Sequence, residues 1–216
     1  MRGRFISLEG GEGTGKSTQA RLLGERLQGQ GIDVLLTREP GGAPGAEDIR
    51  ALLVTGAVKR WSPMAEALLQ MAARAEHLAH AILPALEAGR WVISDRYMDS
   101  TVVYQGVLQG VGEERVRALH RLALNDVMPD LTAILDLPAD EGLRRTDGRH
   151  DASASGREDR YERMGGDFHR KIVEAFRAIA AREPERCRLI DAGGTPEDVH
   201  ARLWTLLAAT FPELRP

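Results

Sequence analysis

The chain has 216 residues, enough for one domain with a substantial core, and its formal net charge of −3 argues against a general affinity for nucleic acid. It contains 43% hydrophobic and 28% charged residues and has no apolar run long enough to span a membrane. The N-terminus lacks the apolar core of a secretory signal, and a single cysteine, Cys187, excludes an internal disulfide. These features predict a cytoplasmic protein that is a single domain over residues 1–216.

Short apolar runs alternate with longer segments of helical periodicity. The predicted strands span residues 5–8, 33–37, 91–94, 131–137 and 188–190. The predicted helices span residues 17–30, 47–55, 63–88, 113–126, 165–182 and 196–211. Near-continuous apolar strands are typical of parallel sheets that helices cover on both faces. The pattern therefore predicts an α/β fold with a five-stranded parallel sheet flanked by helices on both faces.

The first predicted strand leads into a glycine-rich loop, GGEGTGKST, at residues 10–18. Glycines at this spacing let successive backbone N–H groups converge on phosphate oxygens, and the helix that follows presents its positive N-terminal end. Lys16 supplies charge for the β- and γ-phosphates, Ser17 offers a hydroxyl to Mg²⁺, and Thr18 lies on the α-phosphate side. The predicted contacts to a nucleoside triphosphate are Gly10, Gly11, Glu12, Gly13, Thr14, Gly15, Lys16, Ser17 and Thr18.

A second motif, VISDRYMDSTVVYQG at residues 92–106, begins in the third predicted strand. In a parallel sheet it places Asp95 and Arg96 at the carboxyl end of that strand, beside the phosphate loop. Asp95 is suited to orient an acceptor or hold a Mg²⁺-bound water, and Arg96 to neutralise a phosphoryl group in transfer. The chain has no Asn-Lys-x-Asp motif of the kind that reads guanine, so the pattern favours a kinase over a GTPase.

The segment RRTDGRHDASASGREDRYER, at residues 144–163, is charged and has no apolar period. Two interpretations stay open from composition alone. It is either a solvated surface loop, which composition favours, or a lid that brings arginines onto an anionic ligand.

In their order and spacing, seven segments together resemble the thymidylate kinases, which phosphorylate dTMP to dTDP with MgATP. They are LEGGEGTGKSTQ at 8–19, TREPGG at 37–42, MAARAEH at 71–77, DRYMDSTVVYQG at 95–106, PDLTAILDL at 129–137, DRYE at 159–162 and IDAGGTPEDV at 190–199. The resemblance implies a P-loop NTPase fold with a short lid at about residues 146–160, ATP and Mg²⁺ as ligands, and a homodimer. The apolar side of residues 65–89 is broad enough for a subunit contact, although core packing explains it equally well.

For the acceptor, the resemblance implies a set of side chains around dTMP. Glu12 would contact the sugar 3′-hydroxyl, and Tyr104 would pack beneath the deoxyribose. Arg38 and Arg96 would hold the acceptor phosphate, with Arg50 as a helper. Around the thymine base the implied contacts are Arg74, Thr101 and Gln105.

For the donor, the resemblance implies that Glu9 and Asp95 support Mg²⁺ and its waters, together with Ser17. Arg145 would stack on adenine, and the backbone at Ala192 and Gly193, continuing to residue 194, would cover it. Some family members carry an arginine in place of Gly13, whereas others have glycine there and an arginine in the lid. This chain resembles the second kind, which makes Arg149, Arg157 and Arg160 the candidates for stabilising the transferred phosphoryl group.

One position departs from the family pattern. A phenylalanine that stacks on thymine usually stands four residues before the base-reading arginine, but here that position is Gln70, followed by Met71. The sequence therefore leaves open what covers the base and whether dTMP is preferred over dUMP.

Two other functions remain as alternatives. A deoxynucleoside kinase would use a carboxylate such as Glu39 as the base for a hydroxyl acceptor. A non-catalytic ATP sensor would keep the phosphate loop without needing Asp95 or Arg96.

Overall fold

The sheet has five strands: β1 (Phe5–Gly10), β2 (Val34–Arg38), β3 (Trp91–Asp95), β4 (Leu131–Asp136) and β5 (Cys187–Asp191). These come from a computed structural model, which describes residues 2–57, 60–147 and 166–214. All neighbouring strands are parallel, in the order β2-β3-β1-β4-β5. The predicted five-stranded parallel sheet is confirmed, and each observed strand begins or ends within two residues of its predicted bounds.

Helices cover both faces of this sheet. They are α1 (Lys16–Gly29), α2 (Pro44–Val54), α3 (Pro63–His77), α4 (Leu83–Glu87), α5 (Met98–Thr101), α6 (Glu113–Leu124), α7 (Ala139–Asp147), α8 (Gly166–Arg182) and α9 (Pro196–Thr210). Successive side chains of β1 point to opposite faces: Phe5 packs in a core with α3, α6 and α8, whereas Ile6 and Leu8 pack against α1 and α9. This two-sided burial explains why apolar residues predominate on both faces of β1.

The long helix predicted over residues 63–88 is interrupted. Between α3 and α4 lies a π-helical segment, Leu78–Ile82. Pro84 has no N–H to donate to the preceding turn, so an α-helix cannot continue through it with all its hydrogen bonds. A π-helical turn before the proline absorbs this mismatch.

Two helical regions are not indicated by the sequence pattern. One comprises α5 and a π-helical segment, Val102–Leu108, whose β-branched and glycine residues have low helix propensity. The other is α7, whose composition is mostly polar and whose helical signal is limited to acidic residues in its first turn and arginines in its last. α7 extends through Asp147 and so includes the first two positions of the lid predicted at about residues 146–160, and the other positions lie outside the described residues.

Polar side chains cross the core beneath the carboxyl edge of the sheet. The hydroxyls of Ser7 and Thr132 lie 2.8 Å apart. Asp99, which is completely buried, accepts hydrogen bonds from Arg186 Nη1 and Nη2 at 2.7 and 2.8 Å. Bidentate pairing of this kind satisfies both buried charges and ties α5 to the start of β5.

Replacing Asp99 by alanine is expected to lower the free energy of unfolding by about 3 kcal/mol, because it removes the bidentate partner of Arg186, which is 15% exposed, and leaves Glu183 as its remaining carboxylate partner. Urea unfolding measures the change. The matched control is Glu25→Ala, which breaks an exposed pair between Arg21 and Glu25 and should cost less than about 1 kcal/mol. Equal losses in the two variants would contradict this account of the buried pair.

Candidate active site

The phosphate loop joins β1 to α1 and wraps around the side chain of Lys16. Lys16 Nζ donates to the backbone oxygens of Gly11 at 2.7 Å and Gly10 at 3.3 Å. Burial is the main cause that lowers the pKa of this ammonium, with the charge of Arg96 adding to it. The loop thus holds its lysine buried on its own carbonyl groups at the N-terminus of α1, where backbone donors favour an anion.

Gly13 is required by the packing of the phosphate loop against α7. Its φ is +69°, and a Cβ there would lie 2.0 Å from the backbone oxygen of Gly142. An arginine at position 13 would therefore collide with α7 in this chain. The close approach also brings the next turn of α7, with Arg145, to the side of the loop.

A hydroxyl and a carboxylate meet where the loop faces the end of β3. Ser17 Oγ donates to Asp95 Oδ2 at 2.6 Å. The contact follows from the strand order, since β1 and β3 are neighbours and Leu8 lies opposite Asp95. Two hard oxygen donors thus stand beside the phosphate loop, as predicted from the sequence.

Arg96 connects the phosphate loop to the residues that follow β3. Its φ of +71° is unusual for a residue other than glycine and directs the side chain back across the loop. The guanidinium donates to Glu12 Oε1 at 2.7 Å and to the Gly10 backbone oxygen at 3.1 Å. Tyr104 Oη donates to the same Glu12 oxygen at 3.2 Å. Burial alone would raise the pKa of Glu12, but the charges of Arg96 and Lys16 hold it below its usual range.

A cavity of about 320 Å³ opens beside this cluster. All eight side chains predicted for the acceptor line it: Glu12, Arg38, Arg50, Arg74, Arg96, Thr101, Tyr104 and Gln105. Ser17, Glu39, Gln70 and Asp95 line it as well. Four further lining residues were not predicted from the sequence: Pro40, Val54, Tyr97 and Ser100. Tyr97 and Ser100 belong to the DRYMDS motif, so their position in that motif is the signal that could have identified them.

At one side of the cavity, Arg74 is held deep in the wall. It is 2% exposed, and it donates to Glu39 Oε2 at 2.7 Å and to Thr101 Oγ1 at 2.9 Å. Gln70 lines the cavity, whereas Met71 lies in the hydrophobic core. The position at which the family resemblance implies an aromatic ring therefore brings an amide side chain to the cavity wall.

Gln105 is oriented by a buried carboxylate. Its Nε2 donates to Glu66 Oε1 at 2.8 Å, and Glu66 is completely buried. Because a carboxylate accepts and does not donate, this contact fixes which end of the amide turns toward Glu66.

Two arginines contribute to the wall of the cavity from β2 and α2. Arg38 Nη2 lies 3.1 Å from Glu47 Oε2, and both side chains are about half exposed. Arg50 Nη1 donates to the backbone oxygen of Pro40 at 2.5 Å. With Arg74 from α3 and Arg96 from the segment after β3, four guanidinium groups line one cavity.

Glu9 is not part of the cavity wall. Its carboxylate is completely buried and accepts from the Tyr97 N–H at 2.7 Å and from Ser100 Oγ at 2.6 Å. Burial, reinforced by the nearby charge of Asp99, raises its pKa to about 7. The structure therefore places Glu9 beneath Tyr97 and Ser100, where it supports the backbone that follows Arg96.

On the donor side, the structure brings together two of the predicted adenine contacts. Arg145 Nη1 donates to the backbone oxygen of Ala192 at 3.1 Å, and its Nη2 donates to Glu141 at 2.7 Å. The Gly193 N–H donates to Asp191 Oδ1 at 2.9 Å. The three lid candidates, Arg149, Arg157 and Arg160, lie outside the described residues.

Across residues 2–57, 60–147 and 166–214, no helix has both the length and the apolar character needed to cross a bilayer. In the same part of the chain, no group of three or more histidine, cysteine or acidic side chains is placed to hold a metal ion.

Comparison with known proteins agrees with this geometry. A family model described as thymidylate kinase matches residues 8–203. A thymidylate kinase of Rhizorhabdus wittichii is 49% identical over 98% of this chain and 100% of its own length. One from Nitrobacter winogradskyi is 50% identical over 96% of this chain and 89% of its own length.

The fold gives the same result as these sequence matches. A crystal structure of thymidylate kinase from Ehrlichia chaffeensis has a TM-score of 0.75 at 32% identity, covering 96% of this chain and 99% of that one. The predicted P-loop NTPase fold is confirmed. With a family match over residues 8–203 and relatives of about half identity along nearly the whole length, the chain belongs to the thymidylate kinase family of nucleoside monophosphate kinases.

Proposed function

We propose that the cavity binds dTMP, that the phosphate loop binds ATP with Mg²⁺, and that the γ-phosphoryl group passes from ATP to dTMP to give dTDP. The observation that carries this proposal is the composition of the cavity wall. Glu12 and Ser17 from the phosphate loop line the same cavity as arginines from β2, α2, α3 and the segment after β3. A donor triphosphate on the loop and an acceptor phosphate among the arginines would therefore be neighbours.

The chemistry requires charge neutralisation more than proton removal. The acceptor oxygen of dTMP already belongs to an anionic phosphate, so no strong general base is needed. The obstacle is the repulsion between two polyanions, and cationic groups fixed around both of them overcome it. Lys16, Arg38, Arg50 and Arg96 supply these groups in the proposal, and Glu12 and Tyr104 hold the sugar between them and the base.

Mg²⁺ fits the oxygens of Ser17 and Asp95. It binds hard oxygen donors and usually takes only one or two from the protein, with water and phosphate supplying the rest. The contact of 2.6 Å between Ser17 Oγ and Asp95 Oδ2 supports a site of that kind. When bound there, the ion neutralises charge on the donor phosphates. Glu9 would act on this site only through the backbone at Tyr97 and Ser100.

On the donor side, we infer that adenine lies against Arg145 and the backbone at Ala192 and Gly193. Arg149 and Arg157, with Arg160 as a third candidate, would supply the charge that stabilises the transferred phosphoryl group, as the sequence suggests.

A homodimer, a cytoplasmic location and a single-domain organisation complete the proposal. Met64 and Leu68, on α3, are 38% and 48% exposed and provide apolar surface for a second copy of the chain.

A deoxynucleoside kinase, which needs a free base, is the alternative that the geometry disfavours. The two oxygens of Glu39 accept from Arg74 and face the His77 ring. We therefore expect dTMP to be consumed with MgATP far faster than thymidine, by about 100-fold or more in kcat/KM, since only dTMP carries the phosphate that the arginines bind. A coupled assay of ADP release measures both rates, and an equal or reversed preference would overturn the assignment.

The raised pKa of Glu9 predicts a pH-dependent stability. The folded protein keeps this proton up to pH of about 7, whereas the unfolded chain loses it near the usual value of 4.5. The free energy of unfolding of the wild-type protein, relative to that of a Glu9→Gln variant, should therefore fall as the pH rises from about 4.5 to about 7. The fall should be roughly 3 kcal/mol at most, and the difference should change little at higher pH. Urea unfolding of both proteins at pH 5 and pH 8 tests this. A difference between them that stays constant with pH would contradict it.

The lid arginines are open to a kinetic test. Arg149→Ala or Arg157→Ala should lower kcat by about 100-fold while raising the KM for dTMP by less than about threefold, because an interaction made only in the transition state affects turnover and not binding. Arg21→Ala, in an exposed pair on α1, serves as the control and should keep wild-type kinetics. If both lid variants turn over at the wild-type rate, the lid assignment is wrong.

A further inference from the structure

A chain of buried polar side chains runs from Thr37 through His77 to Glu39 and Arg74, and the last two line the cavity. The geometry points to Glu39 as a positioning residue that fixes the guanidinium of Arg74, so that the cavity selects a pyrimidine with a carbonyl at position 4 over one with an amino group there. This inference rests on the proposed function, in which Arg74 contacts the base.

Arg74 on its own could not hold one orientation. Its side chain has four rotatable bonds, and its five N–H groups are all donors. Here Nε donates to Glu39 and Nη2 donates to Thr101, at 2.7 and 2.9 Å. The ring of Tyr97 packs against the same group, with its centroid 4.9 Å from the guanidinium carbon.

The remaining terminal nitrogen of Arg74 has weaker partners. Nη1 lies 3.7 Å from Met71 Sδ and 3.5 Å from Met98 Sδ, and thioether sulfurs are weak acceptors. Both sulfurs belong to the hydrophobic core, so Nη1 is turned toward the core. Nη2 lies beside Thr101 in the cavity wall, and a carbonyl oxygen of a bound base would accept its second hydrogen. An exocyclic amino group would instead present hydrogens to a group that has only hydrogens to offer.

Glu39 is held as firmly as the arginine that it orients. Its side chain is 3% exposed, and its Oε1 lies 3.0 Å from His77 Nδ1 while Oε2 accepts from Arg74. Burial alone would raise the pKa of this carboxyl, but the charge of Arg74 and the hydrogen bond from His77 hold it below its usual range. Glu39 therefore remains ionised opposite the guanidinium, and each oxygen has a fixed partner.

The far end of the chain is closed by Thr37. Its hydroxyl lies 2.7 Å from His77 Nε2, so the two nitrogens of the buried imidazole contact Glu39 and Thr37. Gly42 packs against this pair, and a Cβ there would lie 2.3 Å from His77 Nε2 and 2.4 Å from Thr37 Oγ1. The TREPGG segment thus folds around the imidazole, and its second glycine is needed for that close approach.

The test compares dTMP with 5-methyl-dCMP, which differ only in the 4-oxo/N3–H and 4-amino/N3 pattern of the ring. A Glu39→Gln variant keeps the size of the side chain but removes the charge that holds Arg74. We expect its preference for dTMP over 5-methyl-dCMP in kcat/KM to fall by about tenfold or more, with a higher KM for dTMP, since a charged hydrogen bond is lost. Its KM for ATP should remain within about twofold of the wild-type value, because the substitution weakens only the contact with the base of dTMP.

Two further variants separate positioning from a general structural effect. Glu76→Gln alters a carboxylate on the same helix, α3, that is 46% exposed and paired with His80, and it should keep the wild-type preference. If Glu39 acts through Arg74, the double variant Glu39→Gln/Arg74→Lys should lose no more preference than Arg74→Lys alone. Additive losses, or an unchanged preference in Glu39→Gln, would overturn the inference.

The outcomes also distinguish this inference from the proposed function. A wild-type protein that phosphorylates dTMP and 5-methyl-dCMP equally would refute the base-reading role of Arg74 itself. Should Glu39→Gln fail to fold in circular dichroism, Thr37→Val removes the last hydroxyl of the chain and is expected to reduce the preference by about threefold through the loss of one neutral hydrogen bond. No reduction in that variant would overturn the role of the chain.

Discussion

The structure depends on one electrostatic constraint: cations gathered to bind two polyanions must be stable before either arrives. A buried positive charge without a partner costs several kcal/mol, and the chain as a whole carries a net charge of only −3. Three of the arginines that line the cavity are paired with carboxylates in advance. Arg96 faces Glu12, Arg74 faces Glu39 and Arg38 faces Glu47. Lys16 lies on the carbonyls of its own loop.

The order of the strands is what lets these pairs share one cavity. The carboxyl ends of β1, β3 and β2 lie side by side, so Arg38 is opposite Asp95 and Asp95 is opposite Leu8. The phosphate loop follows β1, Arg96 follows β3, and Glu39 follows β2. The three segments therefore begin at the carboxyl ends of neighbouring strands and lie along the same edge of the sheet, as expected for a ligand site in an open parallel sheet.

The sequence predicts the strands and the motif residues well, and the reasons are local. The strands are rich in apolar residues, and seven of the eight predicted acceptor residues, all but Arg50, belong to segments that resemble the family, so the resemblance brings them to one cavity. The π-helical turns are not predictable in the same way, because they arise from the packing around Pro84 and around the segment after Thr101.

The role of Glu39 illustrates the same limit. From the sequence it is equally a catalytic base or a neighbour of Arg38, and only contacts with Arg74 and His77, 35 and 38 residues away, separate these possibilities. Gln70 is a similar case. The sequence shows that Gln70 stands where the family pattern has an aromatic residue. It does not show that Glu66 holds Gln105 in the same cavity wall, because these two side chains come from separate helical segments.

The exposure of each pair agrees with the task proposed for its cation. Arg38 and Glu47 are about half exposed, and Arg96 and Glu12 are 17% and 20% exposed, so water can solvate the carboxylates when the arginines turn to phosphate. Exchange of partners costs little at the half-exposed Arg38–Glu47 pair. Arg74 and Glu39, at 1% and 3%, have no such freedom, because separating them would leave two buried charges unpaired. Arginine–carboxylate pairs therefore have two different roles in this cavity, depending on their exposure. In the proposed function, the pairs that water can reach would release an arginine to a phosphate group, whereas the fully buried pair would keep its arginine in one orientation for a neutral base.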